Sequence, residues 1–246
     1  MTRMWRPALL LLAALLGAGA ARAQPILADL SNHVIGITTG FTGASVVLFG
    51  ATDGPGDVVV VVRGPARDMV VRRKSRVGII WVNTRQATFT EVPSFYAIAS
   101  SKPLSELTTN AVRSFHQLGL DNLRFGTRGK VKDDVNEFRT ALIRTQQREG
   151  VFADTVGKVD FLGERLFRTT VTFPSNVPTG TYTVEVFLIR DKEVVAGQTV
   201  PFSVTKVGVD AQIYDFADRR AALYGLVAVL GAALAGWLAS LPFRTA

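Results

Sequence analysis

The sequence predicts a mainly β protein with a helical insertion: one or two immunoglobulin-like β-sandwich units, a helical hairpin and a C-terminal transmembrane helix. Three observations carry this expectation. Short runs rich in Val, Ile, Thr and Phe, broken by Gly, Pro and Asp, fill residues 32–100 and return after residue 164. Between them, residues 102–150 place apolar side chains at intervals of three and four. From residue 221 to residue 241 the chain carries no charge.

The first 23 residues read as a secretory signal peptide. Arg3 and Arg6 precede an apolar stretch over residues 8–21, and Ala21 and Ala23 supply the small positions before Gln24. That apolar stretch is short for a bilayer span, although an uncleaved anchor is the alternative. No Cys follows, so this is not a lipoprotein signal.

Residues 24–101 form the expected N-terminal β-sandwich region. "HVIGITT", "ASVVLFGAT", "DVVVVVRG", "DMVVRRK", "GIIWVN" and "SFYAIAS" each have strand length, and "TDGPGD" and "RGPARD" are turn chemistry. Val58 to Val62 do not alternate with polar residues, which predicts a strand covered on both faces. Six strands at this spacing argue for an antiparallel sandwich.

Residues 102–150 read as two helices. Leu104, Leu107, Ala111, Phe115 and Leu118 make one stripe, with Pro103 near its start and Gly119 past its end. Val135, Phe138, Leu142 and Thr145 make the second stripe, over residues 131–149, with Gly150 as its stop. Asp133 and Asp134, beside Lys132, suit the positive end of that helix and need no further role.

Residues 151–207 are an expected immunoglobulin-like β region. "RLFRTTVTFP" puts Phe167, Val171 and Phe173 on one face. In the next strand Tyr182, Val184, Val186 and Leu188 alternate with Thr183, Glu185 and Phe187, before "RDKE" turns the chain back. A Gly two residues before Tyr182, at a corner feeding a penultimate strand, matches a tyrosine corner, in which the hydroxyl bonds backbone a few residues upstream. The alternative is a strand tyrosine facing the core. Whether residues 24–101 and 151–207 form two sandwiches or complete one is open at this level.

A juxtamembrane segment, residues 208–220, leads to the expected transmembrane helix at 221–243. Residues 221–241 as a helix rise about 31 Å, close to the hydrocarbon thickness of a bilayer. Tyr224 lies near one end, with Trp237 and Phe243 near the other, where amphipathic rings favour the interface. Export signal and anchor together predict a single-pass protein with residues 24–220 outside and the C-terminus inside.

Charge and cysteine content exclude several functions. Four of the 28 basic residues, Arg3, Arg6, Arg22 and Arg244, lie outside residues 24–220, leaving 24 against all 20 acids. A net charge of +4 is no nucleic-acid footprint. The absence of Cys excludes disulfides, thiolate metal sites and a Cys nucleophile. His33 and His116, far apart in sequence and without a carboxylate pattern, make a poor metal constellation, and no cofactor is expected. Ser203 to Lys206 matches an S-x-x-K string, but in a strand these two side chains point to opposite faces, so acyl-enzyme chemistry is rejected. No catalytic residue is assigned.

Two interaction candidates remain. In the cluster Arg72, Arg73, Lys74 and Arg76, strand alternation puts Arg72, Lys74 and Arg76 in a positive row. It suits anionic lipid headgroups, an acidic partner or an anion, against the plainer reading of a solvated sheet edge. In the terminal helix Ala228, Ala232, Gly236 and Ser240 recur every four residues, and Gly231, Ala235 and Ala239 form the adjacent row. Small ridges of this kind let helices approach closely in lipid.

The segments "GASVVLFGAT", "VVVVRGP", "VRRKSRVGIIWVN", "LFRTTVTFPSNVPTGTYTVEVFLIRD" and "YGLVAVLGAALAGWLASLPFR" resemble an uncharacterised family of alphaproteobacterial putative transmembrane proteins, over nearly all of the mature chain. The resemblance implies a Gram-negative inner membrane, a periplasmic body and a transporter as candidate partner. It carries no catalytic residue. The expected function is a non-enzymatic accessory or interaction module for another membrane protein, or one that associates with itself. The alternative is an envelope enzyme using carboxylates and arginines between the helical hairpin and the sandwich. A ligand sensor fits less well, because the predicted inner tail is short.

Overall fold

The computed structural model describes residues 25–129, 135–208 and 216–240. The expected signal peptide, the Lys132–Asp134 group and most of the juxtamembrane segment lie outside these residues. Among the described residues the protein is mainly β, built from three sheets.

Two sheets pack face to face. In the first, β1 (Ile26–Leu30), β3 (Gly43–Thr52), β11 (Leu166–Pro174) and β10 (Asp160–Leu162) lie side by side in that order. In the second the order is β2 (Val34–Ile37), β13 (Glu193–Lys206), β12 (Gly180–Arg190), β4 (Asp57–Arg63), β7 (Tyr96–Ser100) and β9 (Gly157–Lys158). Both sheets draw strands from both halves of the chain. β11 pairs β3 from Leu166↔Ala51 to Pro174↔Gly43, and β12 pairs β4 from Thr183↔Arg63 to Ile189↔Asp57. Residues more than a hundred positions apart thus close a single core.

Side-chain alternation explains the facing. Phe167, Thr169, Val171 and Phe173 of β11 are buried while their neighbours are exposed, and β12 buries Tyr182, Val184, Val186 and Leu188. Phe95, Phe173, Tyr182 and Phe202 meet between the sheets with ring centroids 4.9 to 5.9 Å apart. Val58 to Val62 of β4 are all buried. Val59 and Val61 share a face with Phe187, Ile98 and Glu185, and the segment after β7 covers that face. The hairpin between β12 and β13 turns on Asp191 and Lys192, both at positive φ, the backbone of a two-residue turn matched to strand twist.

The third sheet comprises β5 (Ala66–Val77), β6 (Ile80–Pro93) and the short β8 (Gly126–Arg128). It continues the β4–β7 hairpin. Gly64 N–H donates to Phe95 O at 2.9 Å and Ser94 N–H to Pro65 O at 3.0 Å, so the ladder runs unbroken into β5 and β6. Gly64 has no Cβ because one would press on Ser94 Oγ and the Phe95 backbone at this crossing. The result is a long two-stranded arm.

The helical hairpin is corrected. The first predicted helix divides into α1 (Leu104–Leu107) and α2 (Asn110–His116). Thr109 stands between them in extended backbone, and its side chain accepts from Val112 N–H, starting a new helix. A 3-10 turn and β8 follow, and β8 joins β6 in the third sheet. The second helix, α3 (Val135–Arg148), buries Phe138, Leu142 and Ile143 and lies against β5. The two helical parts therefore lie against different sheets: Arg63 and Tyr96 of the second sheet hold the end of α2, while α3 packs its apolar stripe on the arm.

The C-terminal transmembrane helix is also corrected. Among the described residues, no helix is long and apolar enough to cross a membrane. The terminal helix α4 spans Ala221–Ser240, and residues 241–243 of the prediction lie outside the described residues. Its side chains are described over residues 221–237. All of these side chains are exposed.

Candidate functional site

The face of the second sheet that points away from the core forms the floor of a cleft of about 650 Å³. Arg63, Glu185 and Phe187 rise from β4 and β12. The end of α2 supplies His116 and Gln117 as one wall, and Glu91 stands at the mouth. Glu91 has positive φ, in the bulge where β6 carries one residue more than β5 between Met69 and Arg67.

Two side chains from the sheet hold the α2 wall. Arg63 pairs with Glu185, and its Nη2 donates to the His116 carbonyl at 3.0 Å. Tyr96, opposite Arg63 on β7, donates from Oη to the Gln117 carbonyl at 3.0 Å and accepts from Gly119 N–H at 2.8 Å. Gln117 is left-handed (φ 54°) and ends the helix, so these bonds satisfy carbonyls that the last turn leaves open. Burial pushes the Tyr96 hydroxyl up from 10.0 to about 12, against the Gly119 hydrogen bond and the Arg63 charge, which lower it. The His116 ring lies 5.0 Å from Phe187 and 4.9 Å from Phe115. Arg63 and Glu185 are thus engaged in holding the wall. Among the described residues the cleft is lined by no Ser or Lys, and Thr199 supplies a hydroxyl.

A second concave surface of about 690 Å³ wraps the β1 edge and is mostly apolar. Leu27, Phe49, Leu162 and Leu166 stand exposed on the outer side of the first sheet, where Leu27 and Leu166 both register with Ala51.

The basic cluster lies near the tip of the β5–β6 arm. Arg72, Lys74 and Arg76 are exposed on one face of β5, opposite Gln86, Asn83 and Trp81 of β6. The extra residue at the second bulge belongs to β6, so alternation along β5 is kept. Arg73 faces the other side and pairs with Glu137 of α3 at 3.1 Å. Arg76 Nε donates to the Gly78 carbonyl at 3.0 Å. Sequence reasoning missed the turn itself. Ile79 and Ile80 form the tip, with Ile79 90% exposed, and Trp81 is 68% exposed, not part of the core. The signal was Gly78, a turn residue between two basic-flanked strands.

Other sequence candidates are placed as follows. Tyr182 Oη donates to the Pro178 carbonyl at 2.6 Å, four residues upstream. His33 Nε2 lies 3.0 Å from Asp29 Oδ1, and the structure does not bring it to His116. Among the described residues no group of three or more His, Asp or Glu side chains is arranged to hold a metal ion. Ser203 and Lys206 lie on β13, three residues apart along a strand. In α4, Ala228, Gly231, Ala232, Ala235 and Gly236 are exposed, and a Cβ built at Gly231 or Gly236 meets nothing within 4 Å. Ala239 and Ser240 belong to the same helix.

No curated protein matches the chain. A family model described as "Putative transmembrane protein" matches residues 25–245, and the chain belongs to that family.

Proposed function

We propose that the protein is a membrane-associated, non-enzymatic interaction module of an alphaproteobacterial inner membrane. Its β body stands on the periplasmic side and serves an integral membrane protein, of which a transporter is one kind, or a second copy of itself. The observation that carries this reading is the exposed terminal helix: α4 is apolar on all sides and none of its described side chains is covered. A helix apolar all round is stable only when lipid or protein surrounds it. The family description supports the same environment. The small residues Ala228, Gly231, Ala232, Ala235, Gly236, Ala239 and Ser240 offer a surface on which a partner helix can pack closely.

Crosslinking in intact cells, followed by mild-detergent purification through a tag after Ala246, tests the reading. A stoichiometric integral membrane protein, crosslinked to α4 or to the arm, is the expected result. Self-crosslinks alone leave the homotypic form. Recovery from the soluble fraction without any membrane component sinks the proposal.

The cleft favours a second reading, an envelope enzyme with a carboxylate/arginine site, because it brings Glu91, Arg63 and Glu185 to one concavity between the helical insertion and the sheet. Replacing Glu91, which no hydrogen bond or ion pair engages among the described residues, with Gln would abolish any cleft-dependent phenotype on that reading while leaving the fold intact.

A further inference from the structure

We infer that the tip of the β5–β6 arm is a docking device for an anionic bilayer surface, with Ile79 and Ile80 dipping among the acyl chains, Trp81 at the interface, and the Arg72–Lys74–Arg76 face lying along the headgroups. The inference rests on the membrane-associated reading above and assigns to the arm a contact separate from α4.

The first ground is the order of chemistry along the arm. At the turn stand two exposed isoleucines; one residue further is an exposed tryptophan, and Trp81 registers directly with Arg76. Lys74 and Arg72 follow on the same face, alternate residues in a strand being about 6.6 Å apart. Apolar tip, aromatic ring and cationic side chains in that sequence match the layers of a bilayer interface, from acyl chains to anionic headgroups. Among the described residues neither Arg72 nor Lys74 has an ion-pair partner, so their charge is available to an anionic surface. A solvated edge strand explains the basic residues but not the isoleucines beside them, which water disfavours.

The second ground is where the arm leaves the body. β4 ends at Arg63, which registers with Thr183 of β12, and Gly180 of β12 registers with Val204 of β13. Hence β5 starts from the same end of the second sheet at which β13 finishes at Lys206 and the chain departs toward α4. Arg67 Nη2 donates to the Thr179 carbonyl at 3.2 Å, and Gly180 packs on Pro65, tying the arm's base to that end. The end that leads to the apolar helix is therefore also the end that carries the arm. Charge complementarity decides for an anionic lipid surface: the exposed face carries Arg72, Lys74 and Arg76 in a row that ends on exposed Trp81, Ile80 and Ile79.

The test uses the absence of native Cys. Ile79→Cys in the full chain gives a single thiol for an environment-sensitive fluorophore, and Val229→Cys gives a matching probe on α4. Each labelled protein is placed in nanodiscs of phosphatidylcholine alone or mixed with phosphatidylglycerol. The expected result is a blue shift and loss of iodide quenching at position 79 in the anionic discs only, reversed by high salt and by the triple substitution Arg72→Gln, Lys74→Gln, Arg76→Gln. Water-like emission at 79 beside a shielded probe at 229 overturns the docking proposal and leaves the membrane reading standing. Water-like emission at both positions removes the membrane reading and this one with it. Equal shielding in both lipid mixtures, or shielding in native membranes but in neither disc, overturns recognition of the anionic surface, the latter pointing to a protein partner.

Discussion

The Tyr96 hydroxyl donates to the Gln117 carbonyl at 3.0 Å while accepting from Gly119 N–H at 2.8 Å. One buried side chain on β7 thus closes the turn that ends α2 and sets one wall of the cleft. Tyr96→Phe would leave both main-chain groups without that partner, at a cost of about 1–3 kcal/mol. Urea denaturation should show the midpoint fall with an unchanged slope, and hydrogen exchange at Gly119 should quicken.

The same hydroxyl predicts a pH dependence. Burial raises Tyr96 from 10.0 to about 12, and burial likewise pushes Tyr182 up to about 12. A buried phenol favours its neutral form in the folded state, so this stabilisation is complete below pH 10 and is lost as pH rises through 12. Two units at one tyrosine correspond to on the order of 2–3 kcal/mol. Stability measured from pH 8 to pH 12 should be level at first and then fall, and Tyr96→Phe should flatten part of the fall.

Gly50 lies where β1 and β11 flank β3, and a Cβ there would overlap the Leu27 carbonyl and the Phe167 ring. Backbone cannot yield as a flexible side chain does. Gly50→Ala should cost about 1–3 kcal/mol through overpacking. Gly40, where an added Cβ meets nothing, is the control, and its substitution should stay within about 0.5 kcal/mol. Thermal melts of the two variants compare them directly.

No described side chain of α4 is buried against the body. A chain ending at Gly208 should keep all three sheets and melt at the same temperature as the whole protein, while moving from the membrane fraction to the soluble fraction. A lowered melting temperature would mean that α4 supports the body.

Much of the strand inventory was legible because period-two alternation is local. Tyr182, Val184, Val186 and Leu188 could be read as one buried face, and Val58 to Val62 as a strand covered twice. The helical stripe from Leu104 to Leu118 was less reliable. Thr109 interrupts it with a cap, and Phe115, on the stripe, is 76% exposed. Periodicity marks which residues can share a face, not whether anything lies against it. The arm was read as two short strands that end at Lys74 and Asn83; residues 84–93 extend the second, with Ala87 and Phe89 buried, because the ladder between β4 and β7 continues through them. The cleft was not assembled in sequence at all. Arg63, His116 and Glu185 come from three separate segments: strand register sets Arg63 near Glu185, and the hydrogen bond from Arg63 to the His116 carbonyl brings in α2.

By itself the sequence determined the strand-forming runs, the placement of a helical insertion between them and the uncharged apolar run at the end, all of which depend on neighbours a few residues apart. The tertiary structure decided that β3 pairs β11 and β4 pairs β12, that α2 and α3 cover different sheets, and that the arm leaves from the end where β13 finishes. Those outcomes depend on register and burial between segments more than a hundred residues apart, where hydrogen-bond ladders and apolar faces must be satisfied together and no local pattern records the partner.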